Sequence, residues 1–206
     1  LKDEGAGLRG DAPGAEPLLT RYPPLRHSLE IASDVAARDT TILITGESGT
    51  GKNLLARAIH RWSDRRNGPM ALVDCSSLTE SLLESELFGH AKGAFTGAVQ
   101  DKPGKVEAAE AGTLFLDEIG ELPASVQARL LRLVDERAFE RVGDPTPRSV
   151  DARLVAATNR DLESCVAEGT FRSDLFYRLS VFEIHVPPLR QRPEDITLLV
   201  QHFLER

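Results

Sequence analysis

The chain has 206 residues, 41% hydrophobic and 28% charged, enough to bury one good-sized core with little room for a second domain. A net charge of −7 makes the chain a poor direct binder of nucleic acid, because phosphate contacts need a surplus of Lys and Arg on one face. No apolar run is long enough to span a bilayer and no charged-then-apolar leader is recognisable, so the expected compartment is cytoplasmic, without a membrane partner.

Residues 1–17 hold Gly5, Gly7, Gly10, Gly14, Pro13 and Pro17 with no apolar periodicity, which predicts a flexible linker. Leu25, Leu29, Ala32 and Val35 then recur at helical spacing and predict a helix over 24–37. Thr41–Thr45 reads as a buried strand, Lys52–Trp62 as a helix with Leu55, Ala58, Ile59 and Trp62 inward, and Ala71–Asp74 as a second strand. A helix over Glu80–Phe88 follows, with Ser77 and Glu80 at capping-box spacing. Thr113–Asp117 is a third strand, and Pro123–Arg137 a helix with Val126, Leu130, Leu133 and Val134 on one stripe. Phe139–Val142 and Val150–Ala152, around a Gly/Pro-rich stretch, predict a hairpin without assigned chemistry. Arg153–Thr158 and Val181–Val186 are the fourth and fifth strands. Pro193 opens a last helix whose inner stripe is expected to be Ile196, Leu199, Val200, Phe203 and Leu204. Such alternation predicts an α/β fold with a mainly parallel sheet and helices on both faces. Cys75 and Cys165 lie far apart with no neighbouring ligand at metal spacing, and read as buried small residues.

Gly46-Glu47-Ser48-Gly49-Thr50-Gly51-Lys52 fits G-x-x-x-x-G-K between a β-branched strand and an amphipathic helix, the context a phosphate loop requires. Its glycines let successive N–H groups form an anion nest at a helix N-terminus, and Lys52 can reach the β- and γ-phosphates of ATP. The next position is Asn53, where P-loop proteins usually place a Mg²⁺-ligating Ser or Thr. The metal is therefore expected to lean on water, phosphate oxygens and Asp117, the first of two acids ending an apolar strand. Glu118, the second, would polarise the attacking water, and Asn159, after the fourth strand, is a candidate to orient it.

Gly93-Ala94-Phe95-Thr96-Gly97-Ala98 reads GAFTGA and puts an aromatic residue between flanking glycines. With GESGTGK, GTLFLDEIGELP, AATNRDL and FRSDLFYRL in this order, the chain resembles the AAA+ domain of NtrC-like bacterial enhancer-binding proteins, the activators of sigma-54 RNA polymerase. The likeness runs from about Thr41 to Glu205. It implies a P-loop NTPase AAA+ core over 18–192, the start of a helical lid over 193–206 with most of the lid missing, and Mg·ATP as the ligand. It also implies a hexameric or heptameric ring, with promoter or enhancer DNA bound through a domain absent from this chain. Phe95 and Thr96 would touch sigma-54, and Arg172 and Arg178 would reach a neighbour's ATP as arginine fingers. Six helical residues turn about 600°, so those two arginines converge only if Arg172 lies at or before its helix start. Two positions depart from the family pattern: Asn53 replaces the usual Glu, and Asp74 replaces the usual Asn that holds the Glu118 equivalent. Two carboxylates in contact at Asp74 and Glu118 would repel, or one would take a proton.

Three readings follow from these residues: an ATPase motor acting on sigma-54, an AAA+ ATPase remodelling another protein or DNA, and a nucleotide-gated binding module with weak hydrolysis. The adenine-contacting residues, and the fragment's own activity and oligomeric state, are not legible at this level.

Overall fold

A computed structural model describes residues 17–205. The chain runs α1 (Pro23–Ala36), β1 (Ile42–Thr45), α2 (Lys52–Trp62), β2 (Met70–Asp74), α3 (Glu80–Phe88), β3 (Gly89–His90), β4 (Lys102–Pro103) and α4 (Lys105–Ala108). It continues through β5 (Thr113–Asp117), α5 (Ala124–Glu136), β6 (Ala138–Arg141), β7 (Asp144–Ser149), β8 (Arg153–Thr158), α6 (Leu162–Ala167), α7 (Ser173–Leu179), β9 (Phe182–His185) and α8 (Glu194–Leu204). The linker expected over 1–17 lies, but for Pro17, outside the described residues.

Five strands form one parallel sheet in the order β2-β5-β8-β1-β9, as the strand–helix alternation predicts. Side-chain alternation sorts each strand between two cores. Ile42, Ile44, Phe115, Val155 and Ala157 point to the face covered by α1 and α2. Leu43, Leu114, Leu116, Leu154 and Ala156 point to the other face, under α3, α5 and α7. The register sets Asp74 beside Asp117 and Thr45 beside Thr158, so β1, β2, β5 and β8 deliver their polar last residues to one edge of the sheet.

Three local expectations fail for identifiable reasons. Thr79, not Ser77, precedes α3, and no side chain caps that helix; the Ser77 hydroxyl donates to the Asp74 carbonyl instead. The hairpin's second strand is Asp144–Ser149, earlier than Val150–Ala152, because the chain turns at Gly143 (φ 79°) and the edge strand tolerates Pro145 and Pro147. The apolar stripe of α8 is exposed: Ile196 is 44%, Phe203 64% and Leu204 82% exposed, while the fully buried residue of that helix is Asp195. Among the described residues, no helix is long and apolar enough to cross a membrane.

Arg153 opens β8 with 2% of its surface exposed, and its guanidinium donates to the carbonyls of Ala36, Thr40 and Val35. Val35 and Ala36 belong to the last turn of α1 and Thr40 to the loop after it, and the Val35 carbonyl also accepts the Arg38 N–H. Arg153→Met keeps the bulk of the stem but removes the guanidinium donors to these carbonyls, and is expected to lower unfolding stability by about 2 kcal/mol in a urea titration; a change below about 0.5 kcal/mol would contradict this role.

Candidate functional site

The turn after β1 is built around backbone demands. Gly46 sits at φ 151°, and a Cβ there would lie 2.5 Å from the Val186 carbonyl oxygen, so no other residue fits. Its N–H donates to the Thr158 carbonyl, which fastens the loop to β8. Gly49 (φ 78°) and Gly51 (φ 101°) take the left-handed region, and a Cβ on either would meet no atom within 4 Å. The loop thus presents bare backbone to open space at the start of α2, the arrangement that accepts phosphate.

Lys52 is 5% exposed at the first position of α2. Its Nζ donates to the carbonyls of Gly46 (2.9 Å) and Glu47 (3.3 Å) and lies 3.3 Å from Glu118 Oε1. A buried ammonium needs such partners. Glu118 follows β5 at φ 52°, a left-handed conformation that costs a non-glycine residue about 1–2 kcal/mol. That conformation turns its carboxylate back over the loop, where Oε2 accepts the backbone N–H of Asn159 at 3.0 Å. Asn159 therefore enters the site through its main chain.

Asp117 is half-buried, and burial raises its carboxyl above the ordinary aspartate range; the Asn53 amide opposes the rise, and the neighbouring Glu118 charge adds to it. Asn53 Nδ2–H donates to Asp117 Oδ2 at 2.9 Å, so the residue that replaces the usual metal ligand orients the carboxylate instead. The expected clash between Asp74 and Glu118 does not occur. Asp74 Oδ1 accepts from the Ser76 N–H (2.9 Å) and hydroxyl (2.7 Å), whereas Glu118 is held by Lys52 and Asn159. Cys75 is buried and its thiol is pushed up to about 12, first by burial and then by Asp74, Asp117 and Glu118, which leaves it inert at neutral pH; Cys165 is likewise buried and free.

The phosphate loop divides two clefts. One, about 360 Å³, is lined by Lys52, Asn53, Arg57, Asp117 and Glu118. The other, about 540 Å³, has apolar walls from Leu18, Leu25, Leu29, Leu55, Leu189 and Leu199 and a polar rim from Arg190 and Arg192. Its volume is in the range of small-molecule sites. Sequence reading left the adenine contacts unassigned; α1 and the segment before it supply this second cleft. It also passed over Arg190, whose guanidinium pairs with Glu47 in the loop and holds that carboxyl low, and Arg192. The available signal was two arginines between Pro188 and Pro193, in a segment to which no element was assigned.

Arg172 and Arg178 line neither cleft. Arg172 is the residue preceding α7, in extended conformation, as convergence of the two arginines requires. Buried Gln127, also missed, accepts the Arg172 N–H at 2.9 Å while donating to the carbonyls of Leu122 and Thr170. Both arginines are exposed and carry carboxylate partners, Asp174 and Asp135, each at 2.7 Å. The Gly93–Ala98 segment stands away from the clefts. Gly93 (φ 82°) and Gly97 (φ 103°) bracket it, the Gly93 N–H donates to the Ala98 carbonyl, and Thr96 is exposed. Phe95 is 38% exposed, its ring meeting His90 edge-on at 5.0 Å between centroids. The base of the loop is tied to the hairpin, where the Ala91 N–H donates to the Val142 carbonyl and Ala94 packs on Gly143.

The Sigma-54 interaction domain model matches residues 18–185. The alginate biosynthesis transcriptional regulatory protein AlgB of Pseudomonas aeruginosa is 55% identical over 206 residues, all of this chain and 44% of its own length. The DNA-binding transcriptional regulator NtrC of Azospirillum brasilense is 50% identical over 204 residues, 98% of this chain and 42% of its own length. The chain thus spans less than half the length of these curated relatives. NtrX from Brucella abortus, solved in complex with ADP, superposes with a TM-score of 0.85 at 40% identity, covering 91% of this chain and 41% of that one. A phosphate loop facing two acids across a parallel sheet, a bracketed GAFTGA segment and a family match over most of the chain place it in the Sigma-54 interaction domain family, with a P-loop NTPase fold.

Proposed function

We propose that this chain binds Mg·ATP across its phosphate loop, hydrolyses it, and uses the cycle to drive the Gly93–Ala98 loop against sigma-54 RNA polymerase. The observation that carries the reading is the buried Lys52 ammonium, set between an open nest of loop amides and the Asp117–Glu118 pair. The nucleoside occupies the apolar cleft, and the phosphates pass over Gly49–Lys52 into the polar one. Asp117, steadied by Asn53, would hold the magnesium ion, which neutralises charge building on the phosphates. Lys52 binds the terminal phosphates, and Glu118, released from it, accepts a hydrogen bond from the attacking water. Arg172 and Arg178 act on the ATP of a neighbouring subunit, since neither reaches the clefts of its own chain; a homo-oligomeric ring is then required. The AlgB and NtrC relatives support regulation of transcription as the setting, and the ADP complex of NtrX supports nucleotide binding.

A physical route joins the two sites. Asp74 ends β2 beside Asp117, its carboxylate orders Ser76, and α3 runs from there directly into Gly89 and the loop. A change in the grip on Glu118 is felt at the strand ends and passed along α3 to Phe95 and Thr96.

Glu118→Gln is expected to keep ATP binding and lose turnover by about 10²–10⁴-fold in a phosphate-release assay. Wild-type phosphate release no faster than that of the variant would favour the nucleotide-gated binding module. In a pull-down with ATP present, Thr96→Ala is expected to lose sigma-54; full retention would favour an ATPase acting on another target.

Asp117 gives a pH signature. Its raised pKa means that the folded protein disfavours the carboxylate, so this group costs stability as pH rises from the ordinary aspartate range through the folded value. Magnesium needs the ionised form. Apparent Mg²⁺ affinity is therefore expected to weaken by about tenfold per pH unit below the folded pKa, a slope that Asp117→Asn abolishes. A slope unchanged in that variant would contradict the assignment.

A further inference from the structure

Arg192 stands in the wall of the larger cleft with 8% of its surface exposed. Its Nη2–H donates to the Thr50 carbonyl at 3.0 Å, and its Nη1–H to Asp195 Oδ2 at 3.4 Å. The Nε–H is buried and has no acceptor among the described residues. A buried donor on a charged group is costly to leave unpaired, which points to an acceptor supplied from outside the chain.

The surroundings favour this. Asp195 is fully buried in a helix whose apolar side chains are largely exposed, so a carboxylate, not an apolar stripe, seats α8. Its Oδ2 also accepts from the Thr20 hydroxyl at 2.7 Å, and its Oδ1 from the Arg21 N–H at 2.5 Å. One carboxylate thereby joins the segment before α1, the start of α8 and, through Arg192, the phosphate loop. These are three walls of the same cleft. The guanidinium fork has five donors on fixed edges: one on Nη2 is committed to Thr50, one on Nη1 to Asp195, and the nitrogen left with no partner is Nε.

We propose that Arg192 is a nucleotide-binding residue whose Nε–H donates to an acceptor on the base or ribose, with Asp195 as the positioning residue that fixes its guanidinium. The proposal rests on the nucleotide-binding reading above. The acceptor belongs to the nucleoside because Arg192 lines the apolar cleft and is absent from the Lys52–Asp117 cleft, where the terminal phosphates go. A lysine at this position keeps a charge but has no Nε–H held at a fixed angle.

Calorimetric titration of the 206-residue chain with Mg·ATP and with magnesium tripolyphosphate separates the alternatives. Arg192→Lys is expected to weaken ATP binding about tenfold or more while changing tripolyphosphate binding by less than about twofold, the loss of one hydrogen bond to a charged group. Asp195→Asn is expected to weaken ATP binding in the same selective way. Equal losses for both ligands would make Arg192 a mere brace of Thr50 and overturn the proposal, as would no loss for either. Wild-type protein that binds neither ligand would overturn the nucleotide reading itself, and this proposal with it. If the variants do not fold, nitrogen NMR of the wild type decides: the Arg192 Nε–H signal is expected to shift with Mg·ATP and stay fixed with tripolyphosphate. A signal unmoved by ATP overturns the proposal.

Discussion

A charged lysine with only 5% of its surface exposed sets the terms for everything around it. Lys52 can be charged there only because two carbonyls of its own loop and the Glu118 carboxylate surround it. The carbonyls are available because Gly46 lets the chain pass against Val186, and Glu118 is available because its backbone accepts a left-handed conformation after β5. Each of these constraints serves a site for a polyanion and does little for the core.

The parallel sheet supplies the placement. Its strands end at one edge in Thr45, Asp74, Asp117 and Thr158, and the turns that follow carry the reactive groups. The polar cleft, with Lys52 and Arg57 beside Asp117 and Glu118, and the apolar cleft lie on opposite sides of one loop, so a ligand with an anionic end and a flat apolar end fits the pair. The loop is held at both ends by the segment leading to α8: Arg190 pairs with Glu47, and Arg192 bonds the Thr50 carbonyl. Anything that moves the phosphate loop therefore pulls on α8, and α3 offers the corresponding path toward Phe95.

Periodicity was enough for the sheet, α2, α3 and α5, and the glycines for the turn over Gly46–Lys52, since apolar spacing and glycines report directly on backbone geometry. They misread α8, where the apolar positions are regular but the packing decision is made by Asp195, a residue whose burial depends on Thr20 and Arg21, some 175 positions away. The Asp74–Glu118 clash failed for a similar reason: the expectation counted two charges and could not see Ser76 and Lys52 taking one each. Asn53 was read as a missing metal ligand, but its bond to Asp117 is visible only in three dimensions. Arginine pairings across long separations, at Glu47 and Thr50, leave no local pattern at all.

The central claim is that one nucleotide spans both clefts by lying across the phosphate loop. Hydrogen–deuterium exchange measured with and without Mg·ATP addresses it directly. Slower exchange is expected together in Gly46–Asn53, whose amides would face the phosphates, and in 18–22, which walls the apolar cleft. Protection confined to one of the two segments, or found in neither, would contradict it.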